Sequence, residues 1–160
     1  MAELEVVEAV EIATSRAAAW AAISDPTKYA RWSPEHTGIR RLGSGSDLWA
    51  VGDRFIGTNQ MWFRWSTTCT VATVEPEHAF AFDVVYLHFP VARWEYSLAD
   101  GATAGTVRVT ERWIDHRVGL IGTPTRFVGV FVGRGLNAAD HNRRTMQATL
   151  QALKLELESR

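Results

Sequence analysis

From His36 to His116 the sequence carries six successive short strand-like runs, five of which, from Asp53 onward, are sorted by alternation of apolar and polar residues, and this period of two is the strongest constraint on the fold. The runs are His36–Leu42, Asp53–Met61, Arg64–Val74, His78–Tyr86, Val91–Ala99 and Thr106–His116. Such a period sends successive side chains to opposite faces of a strand. Turn residues fall between the runs, as Gly43-Ser44-Gly45-Ser46, Glu75-Pro76-Glu77 and Asp100-Gly101, so neighbouring strands should pair as antiparallel hairpins. An earlier run, Leu4–Ala13, alternates as well and predicts a half-buried opening strand. Ser15 is placed to cap a short alanine-rich helix, Arg16–Ile23. Asp25-Pro26 then starts a further helical turn, which Trp32-Ser33-Pro34-Glu35 ends because the residue before proline avoids the helical region.

The period changes at the end of the chain. Asn137–Glu158 carries Met146, Leu150, Leu153 and Leu157 at helical spacing, with Arg143, Arg144, Lys154 and Glu158 on other faces. A curved antiparallel sheet has one face to cover, and a long C-terminal helix can cover it. The expected fold is α+β: one curved sheet around that helix, with two short helices after the first strand. No repeat or linker divides the chain, so residues 1–160 form one expected domain, a size that buries enough surface to need no disulfide.

Several function classes are disfavoured at once. There are 17 Lys and Arg against 18 Asp and Glu, a net charge of -1, so the broad positive field of a nucleic-acid binder is missing. Cys69 is the single cysteine, which excludes an internal disulfide and a cysteine-based zinc site. His36, His78, His88, His116 and His141 show no metal-ligand spacing, so they are read as structural or surface residues and no metal is expected. His141 is kept in view because it begins the covering helix. No phosphate-binding loop appears, and no cofactor is expected. The acidic start Met1-Ala2-Glu3-Leu4-Glu5 does not look like a signal peptide, and the apolar stretch Leu120–Val132, broken by Pro124 and Arg126, is too short to span a bilayer. A soluble, cytoplasmic protein without stable membrane insertion is the expectation.

The anomaly is aromatic: seven Trp, seven Phe and three Tyr make 11% of the chain, and such rings either fill a core or line a cavity. Alternation collects most of them on one face. That face holds Phe55, Gly57, Asn59 and Met61, then Trp65, Thr67, Cys69 and Val71, then Phe80, Phe82, Val84 and Tyr86. It continues with Trp94, Tyr96 and Leu98, and with Val107, Val109, Glu111 and Trp113. Asn142 and Met146 join it from the helix. The other face is polar, with Arg64, Ser66, Thr68, Arg93, Glu95, Arg108 and Arg112 among its members. A few polar groups among large apolar ones is how small-molecule sites are built. Glu111 stands out, since a carboxylate buried there needs a partner, a raised pKa or water. Either these polar groups pair with one another in a filled core, or they mark a site. Cys69 has no activating base nearby in sequence and is read as packing. The segment Gly119–Gly135, with five glycines and Thr123-Pro124 as a helix start, reads as a broken helix or loop at the cavity mouth. There Phe127, Val130 and Phe131 pack on the sheet or meet a membrane or partner.

The order of elements and several local strings are similar to a known family. They are Ala17-Ala18-Ala19-Trp20, Ser24-Asp25-Pro26-Thr27-Lys28-Tyr29 leading to Trp32-Ser33-Pro34-Glu35, and Gly52-Asp53-Arg54-Phe55. Further on come Cys69-Thr70-Val71, Trp94-Glu95-Tyr96, Val109-Thr110-Glu111 and His141-Asn142-Arg143-Arg144. Over nearly its whole length the chain resembles the START-like, or SRPBCC, superfamily, and within it the polyketide cyclase/dehydrase-like branch. The resemblance implies a helix-grip fold with a deep cavity that binds lipids, hormones or polyketides, and in some members cyclises and dehydrates them. Polyketide aromatase/cyclases set Trp rings and an Arg/Ser pair in that cavity; here Trp65 would face inward while Arg64 and Ser66 fall on the outer face.

The expected function is therefore binding of a hydrophobic or aromatic, lipid- or polyketide-like molecule. Its expected ligand-binding residues are Phe55, Asn59, Met61, Trp65, Thr67, Phe82, Tyr86, Trp94, Tyr96, Trp113, Asn142 and Met146. An alternative is a polyketide cyclase or dehydratase with Glu111 as the catalytic acid or base and Tyr86, Tyr96 and Asn59 as hydrogen-bond donors to an oxyanion. A third is a protein-interaction module with a filled cavity.

Overall fold

The computed structural model describes residues 5–43, 45–117 and 138–160. Its elements are β1 (Glu5–Ala13), α1 (Arg16–Ile23), a 3₁₀ helix (Pro26–Arg31), β2 (His36–Leu42), β3 (Arg54–Gln60), β4 (Arg64–Glu75), β5 (Ala79–Tyr86), β6 (Phe89–Asp100), β7 (Thr106–Asp115) and α2 (Ala138–Glu158). The seven strands form one sheet in the order β1-β7-β6-β5-β4-β3-β2, every pair antiparallel. The expectations for Gly119–Gly135, including Thr123-Pro124, Phe127, Val130 and Phe131, lie outside the described residues, as do those for Met1–Leu4.

Local chemistry sets the short helices. The Ser15 hydroxyl accepts from the Ala18 N–H at 3.1 Å, satisfying one of the free donors at the start of α1. Asp25 does the same for Thr27 N at 3.1 Å, ahead of Pro26, whose fixed φ suits a first helical position. These two helices close one end of the concave face. Buried Tyr29 projects from the 3₁₀ helix and its hydroxyl donates to Ile23 O at 2.6 Å.

The sheet bends at irregularities in its pairing. Register shifts fall between His36 and Gly38, between Val71 and Thr73, and between Val84 and Val85. Each extra residue increases local twist and redirects side chains. Helix α2 buries Met146, Leu150, Leu153 and Leu157, the stripe that helical spacing predicts, together with Ala138, Asn142 and Thr149. It lies chiefly against β1. Its far end is tied there: Lys154 Nζ donates to Glu11 O at 2.7 Å, and Glu158 Oε1 accepts from Ala13 N at 2.9 Å. Two cores result. The larger includes Ile12, Ile23, Phe80, Val109, Leu150 and Leu153. A smaller one gathers Val6, Ala92, Trp113, Ala138 and Met146.

One connection is tighter than its residues suggest. Tyr86 and Phe89 face each other across a hairpin whose loop is only Leu87 and His88, with φ of 47° and 70°. A two-residue loop with positive φ at both positions favours Asn-Gly, and neither residue here is at ease in that region. Replacing Leu87-His88 by Asn-Gly should therefore stabilise the fold by about 1–2 kcal/mol, read as a higher midpoint in thermal unfolding. An unchanged or lower midpoint would refute the assignment of strain.

Candidate functional site

The concave face of the sheet and α2 line an open cavity of about 150 Å³, counted as space open to the centres of water molecules. One water needs roughly 10–15 Å³ on that measure, so the space is an order of magnitude larger. Of the residues expected from sequence, Phe55, Asn59, Trp65, Thr67, Phe82, Tyr86, Trp94, Tyr96 and Glu111 line it. They arrive from five consecutive strands, β3 to β7, because an unbroken alternation aims them all the same way. Met61, Trp113, Asn142 and Met146 stand outside the lining. Met61 lies beyond the end of β3, where its N–H bonds to Phe63 O across the turn. Trp113 and Met146 are packed in the smaller core instead, and Asn142 is buried on the same side of α2, one turn before Met146. The residues of α2 that do reach the cavity are Thr145 and Thr149.

Glu111 is 2% exposed, on β7. Its Oε1 accepts from the Tyr96 hydroxyl at 2.8 Å, while Oε2 is buried without a partner among the described residues. Loss of hydration pushes its pKa up to about 8; the Tyr96 hydrogen bond works the other way, and the nearby charge of Glu8 adds to the rise. Glu8 stands directly opposite Glu111 in the β1–β7 register and meets the Arg143 guanidinium of α2 at 3.5 Å. Burial also drives the Tyr29 and Tyr96 phenols well above their ordinary range, and the nearby Glu111 carboxyl adds to both shifts. At neutral pH this corner of the cavity therefore holds a protonated carboxyl and two neutral phenols.

The sequence reading missed His36. It lines the cavity at the start of β2, where Nδ1 lies 3.2 Å from Asn59 Oδ1 and Nε2 is buried without a partner among the described residues. Its backbone N–H bonds to Ser33 Oγ at 3.3 Å, and the pairing irregularity follows at once. The ring lies over Gly57 of β3, where an added Cβ would be 3.1 Å from His36 Cε1. It meets Tyr29 edge-on at 6.3 Å between centroids. Burial lowers its pKa from the ordinary value, partly offset by Asn59, so the imidazole is neutral at pH 7. The available signal was Gly57, a residue without a side chain on the inward row, opposite a strand that begins with histidine. Of the inward polar groups, Glu111 and Tyr96 do pair with each other, while Asn59 holds His36.

The other charged lining groups are matched. Glu35, just before β2, pairs with His141 of α2 and also accepts from the Thr145 hydroxyl at 3.4 Å. Arg117 and Asp115 form a half-buried pair at 2.7 Å. Cys69 lines the cavity too, but burial pushes its thiol up to about 12, which keeps it protonated and unreactive. Ser66 instead lines a second pocket with Arg54, Thr68, Thr70, Val85 and Leu87. Among the described residues no group of three or more His, Cys, Asp and Glu is arranged to hold a metal ion, and no helix is long and apolar enough to cross a membrane.

Comparison with known proteins follows the same lines. A family model described as polyketide cyclase/dehydrase and lipid transport matches residues 3–158. No curated protein matches the sequence. Among solved structures, a START superfamily protein of Mycobacterium smegmatis is 16% identical with a TM-score of 0.68, covering 98% of this chain and 99% of its own. A polyketide cyclase-like protein of Corynebacterium glutamicum is 24% identical with a TM-score of 0.60, covering 99% and 97%. The di-domain aromatase/cyclase StfQ of the steffimycin biosynthetic pathway is 12% identical with a TM-score of 0.67, covering 98% of this chain and 51% of that one. At these identities the likeness is one of fold: a curved sheet gripping a C-terminal helix.

Proposed function

The chain belongs to the polyketide cyclase/dehydrase and lipid transport family, and on that premise we propose that it binds a hydrophobic or aromatic small molecule in the cavity between the sheet and α2. The observation that carries this reading is the lining itself, in which Phe55, Trp65, Phe82, Trp94 and Tyr96 surround a few inward polar groups. Rings bury large areas on an apolar ligand, and the polar groups fix its orientation.

A second reading, cyclisation or dehydration of a polyketide-like substrate, is favoured by one observation. Glu111 keeps its proton to about pH 8 and has one oxygen without a partner among the described residues, so it could protonate a departing hydroxyl. The aromatase/cyclase likeness points the same way, whereas Arg64 and Ser66 begin β4 on the convex side, away from the cavity. Turnover of such a substrate that Glu111→Gln abolishes would select this reading over simple binding.

The first experiment is native mass spectrometry of freshly purified protein, with solvent extraction of whatever it carries, beside a Thr67→Trp variant. Thr67 lines the cavity, and the larger indole would take up space there that a ligand needs. The expected result is a stoichiometric apolar or aromatic adduct on the wild type and none on Thr67→Trp. A clean mass for the wild type, together with aromatic dyes that bind both proteins equally or neither, would overturn the proposal and favour the interaction-module reading.

A further inference from the structure

Two buried polar atoms of residues that line this cavity have no partner among the described residues: His36 Nε2 and Glu111 Oε2. Both belong to side chains whose other polar atom is already engaged, and that engagement fixes what the free atom can offer. Asn59 Oδ1 can only accept, so the His36 hydrogen sits on Nδ1 and Nε2 presents a bare lone pair. Tyr96 donates to Glu111 Oε1, so the carboxyl proton is left to Oε2, which presents an O–H. One wall of the cavity thus offers an acceptor and another offers a donor. They come from β2 and β7, with four strands between them in the sheet order. Tyr29 stands between them, 6.3 Å from the His36 ring and 5.6 Å from the Tyr96 ring.

We propose that the cavity selects an uncharged hydroxy-carbonyl compound on an apolar or aromatic frame, its carbonyl accepting from Glu111 Oε2 and its hydroxyl donating to His36 Nε2. This rests on the reading above that the cavity holds a ligand, and it adds what that ligand must carry. Three features support it. The two atoms come from strands separated by four others in the sheet order, an arrangement that suits a frame with two substituents better than a single hydroxyl. Among the described residues the charged groups around them are already matched, Glu35 with His141, Arg117 with Asp115 and Glu8 with Arg143, so none of these calls for a charged ligand. The His36 ring is held on three sides, by Asn59, by the edge contact with Tyr29 and by the space above Gly57, which fixes the direction of its lone pair. An unsatisfied buried group is costly, and a ligand that satisfies both recovers that cost.

The test is equilibrium binding at neutral pH of three probes with one frame: naphthol, acetylnaphthalene, and a naphthol with an acetyl group on the opposite ring. The wild type should bind the doubly substituted probe about tenfold more tightly than either singly substituted one, the worth of one well-placed hydrogen bond. His36→Phe should bind the double probe no better than acetylnaphthalene. Glu111→Leu should bind it no better than naphthol, and Glu111→Gln, which keeps an acceptor for Tyr96 and a donor for the ligand, should restore the full preference. Gly57→Ala, which pushes the ring without removing it, should weaken the hydroxyl-bearing probes alone. Equal affinity of all three probes for the wild type, or the same loss for every probe in His36→Phe, would overturn the donor–acceptor assignment while leaving a binding cavity in place. Failure of the wild type to bind any of the three frames would count against the cavity reading itself, and this inference would fall with it.

Discussion

Glu111→Gln should make the protein more stable than the wild type at mildly alkaline pH, and the gain should vanish in acid. In the unfolded chain a glutamate ionises near 4.5, whereas in the fold Glu111 holds its proton to about 8. Below the lower value both states are protonated and the full stability is present. Between the two values the unfolded state releases a proton that the native state keeps, so stability falls as pH rises, by roughly 1.4 kcal/mol per pH unit. Above about 8 both states are ionised and the loss levels off. Over the window the cost is on the order of 5 kcal/mol, which glutamine, uncharged throughout, does not incur. At roughly 2–4 °C per kcal/mol for a chain of this size, the variant should melt some ~10 °C above the wild type at alkaline pH. The two should melt together in acid. Because the other titrating groups are common to both proteins, the difference between their pH profiles isolates Glu111; parallel profiles would show that the carboxyl ionises as readily in the fold as outside it.

Trp113→Ala should have an effect of similar size and opposite direction. The indole is 1% exposed and packs with Val6, Ala92, Ala138 and Met146. Removing a large ring from such a site costs about 3–5 kcal/mol, the transfer energy plus the void left behind. Trp113 is outside the cavity lining, so the variant should lose ~10 °C or more in thermal unfolding while binding an aromatic probe normally when held well below its midpoint. Trp65→Ala should show the reverse balance, since Trp65 is half-buried in the cavity wall. Weakened binding in Trp113→Ala at low temperature, without partial unfolding, would return that ring to the site.

These two residues show where the sequence is informative. Alternation alone places Glu111 and Trp113 on one face of β7, and the structure does the same. It cannot show that the face is shared between a cavity and a second core, because that division depends on where α2 crosses β1 and β7. The helical stripe has the same limit. Met146 and Asn142 are buried as their spacing suggests, yet Thr145 and Thr149, polar and unremarked in sequence, are the α2 side chains that meet the cavity. His36 was hidden for a different reason. A strand that opens His-Thr-Gly has no apolar alternation to give its inner face, and only the pairing of β2 with β3 brings the imidazole over Gly57 to Asn59. Residue type and period thus fix the inward row of the central strands, while long-range register decides what their neighbours do.

The sheet order has a consequence for how the protein comes into being. β1 is the first strand among the described residues, but its sheet partner is β7 and its covering helix is α2, the last two elements described. Val6, which pairs with Trp113, has no partner until nearly the entire chain exists. During synthesis the central hairpins β3 to β6 can assemble from neighbours, whereas the opening strand must wait with its apolar side uncovered. Closing so long a loop is slow, and the waiting edge is open to wrong pairing. Because α2 completes one wall of the cavity, ligand capture belongs to the finished chain, and a ribosome-bound fragment lacking the last helix has no complete chamber to fill.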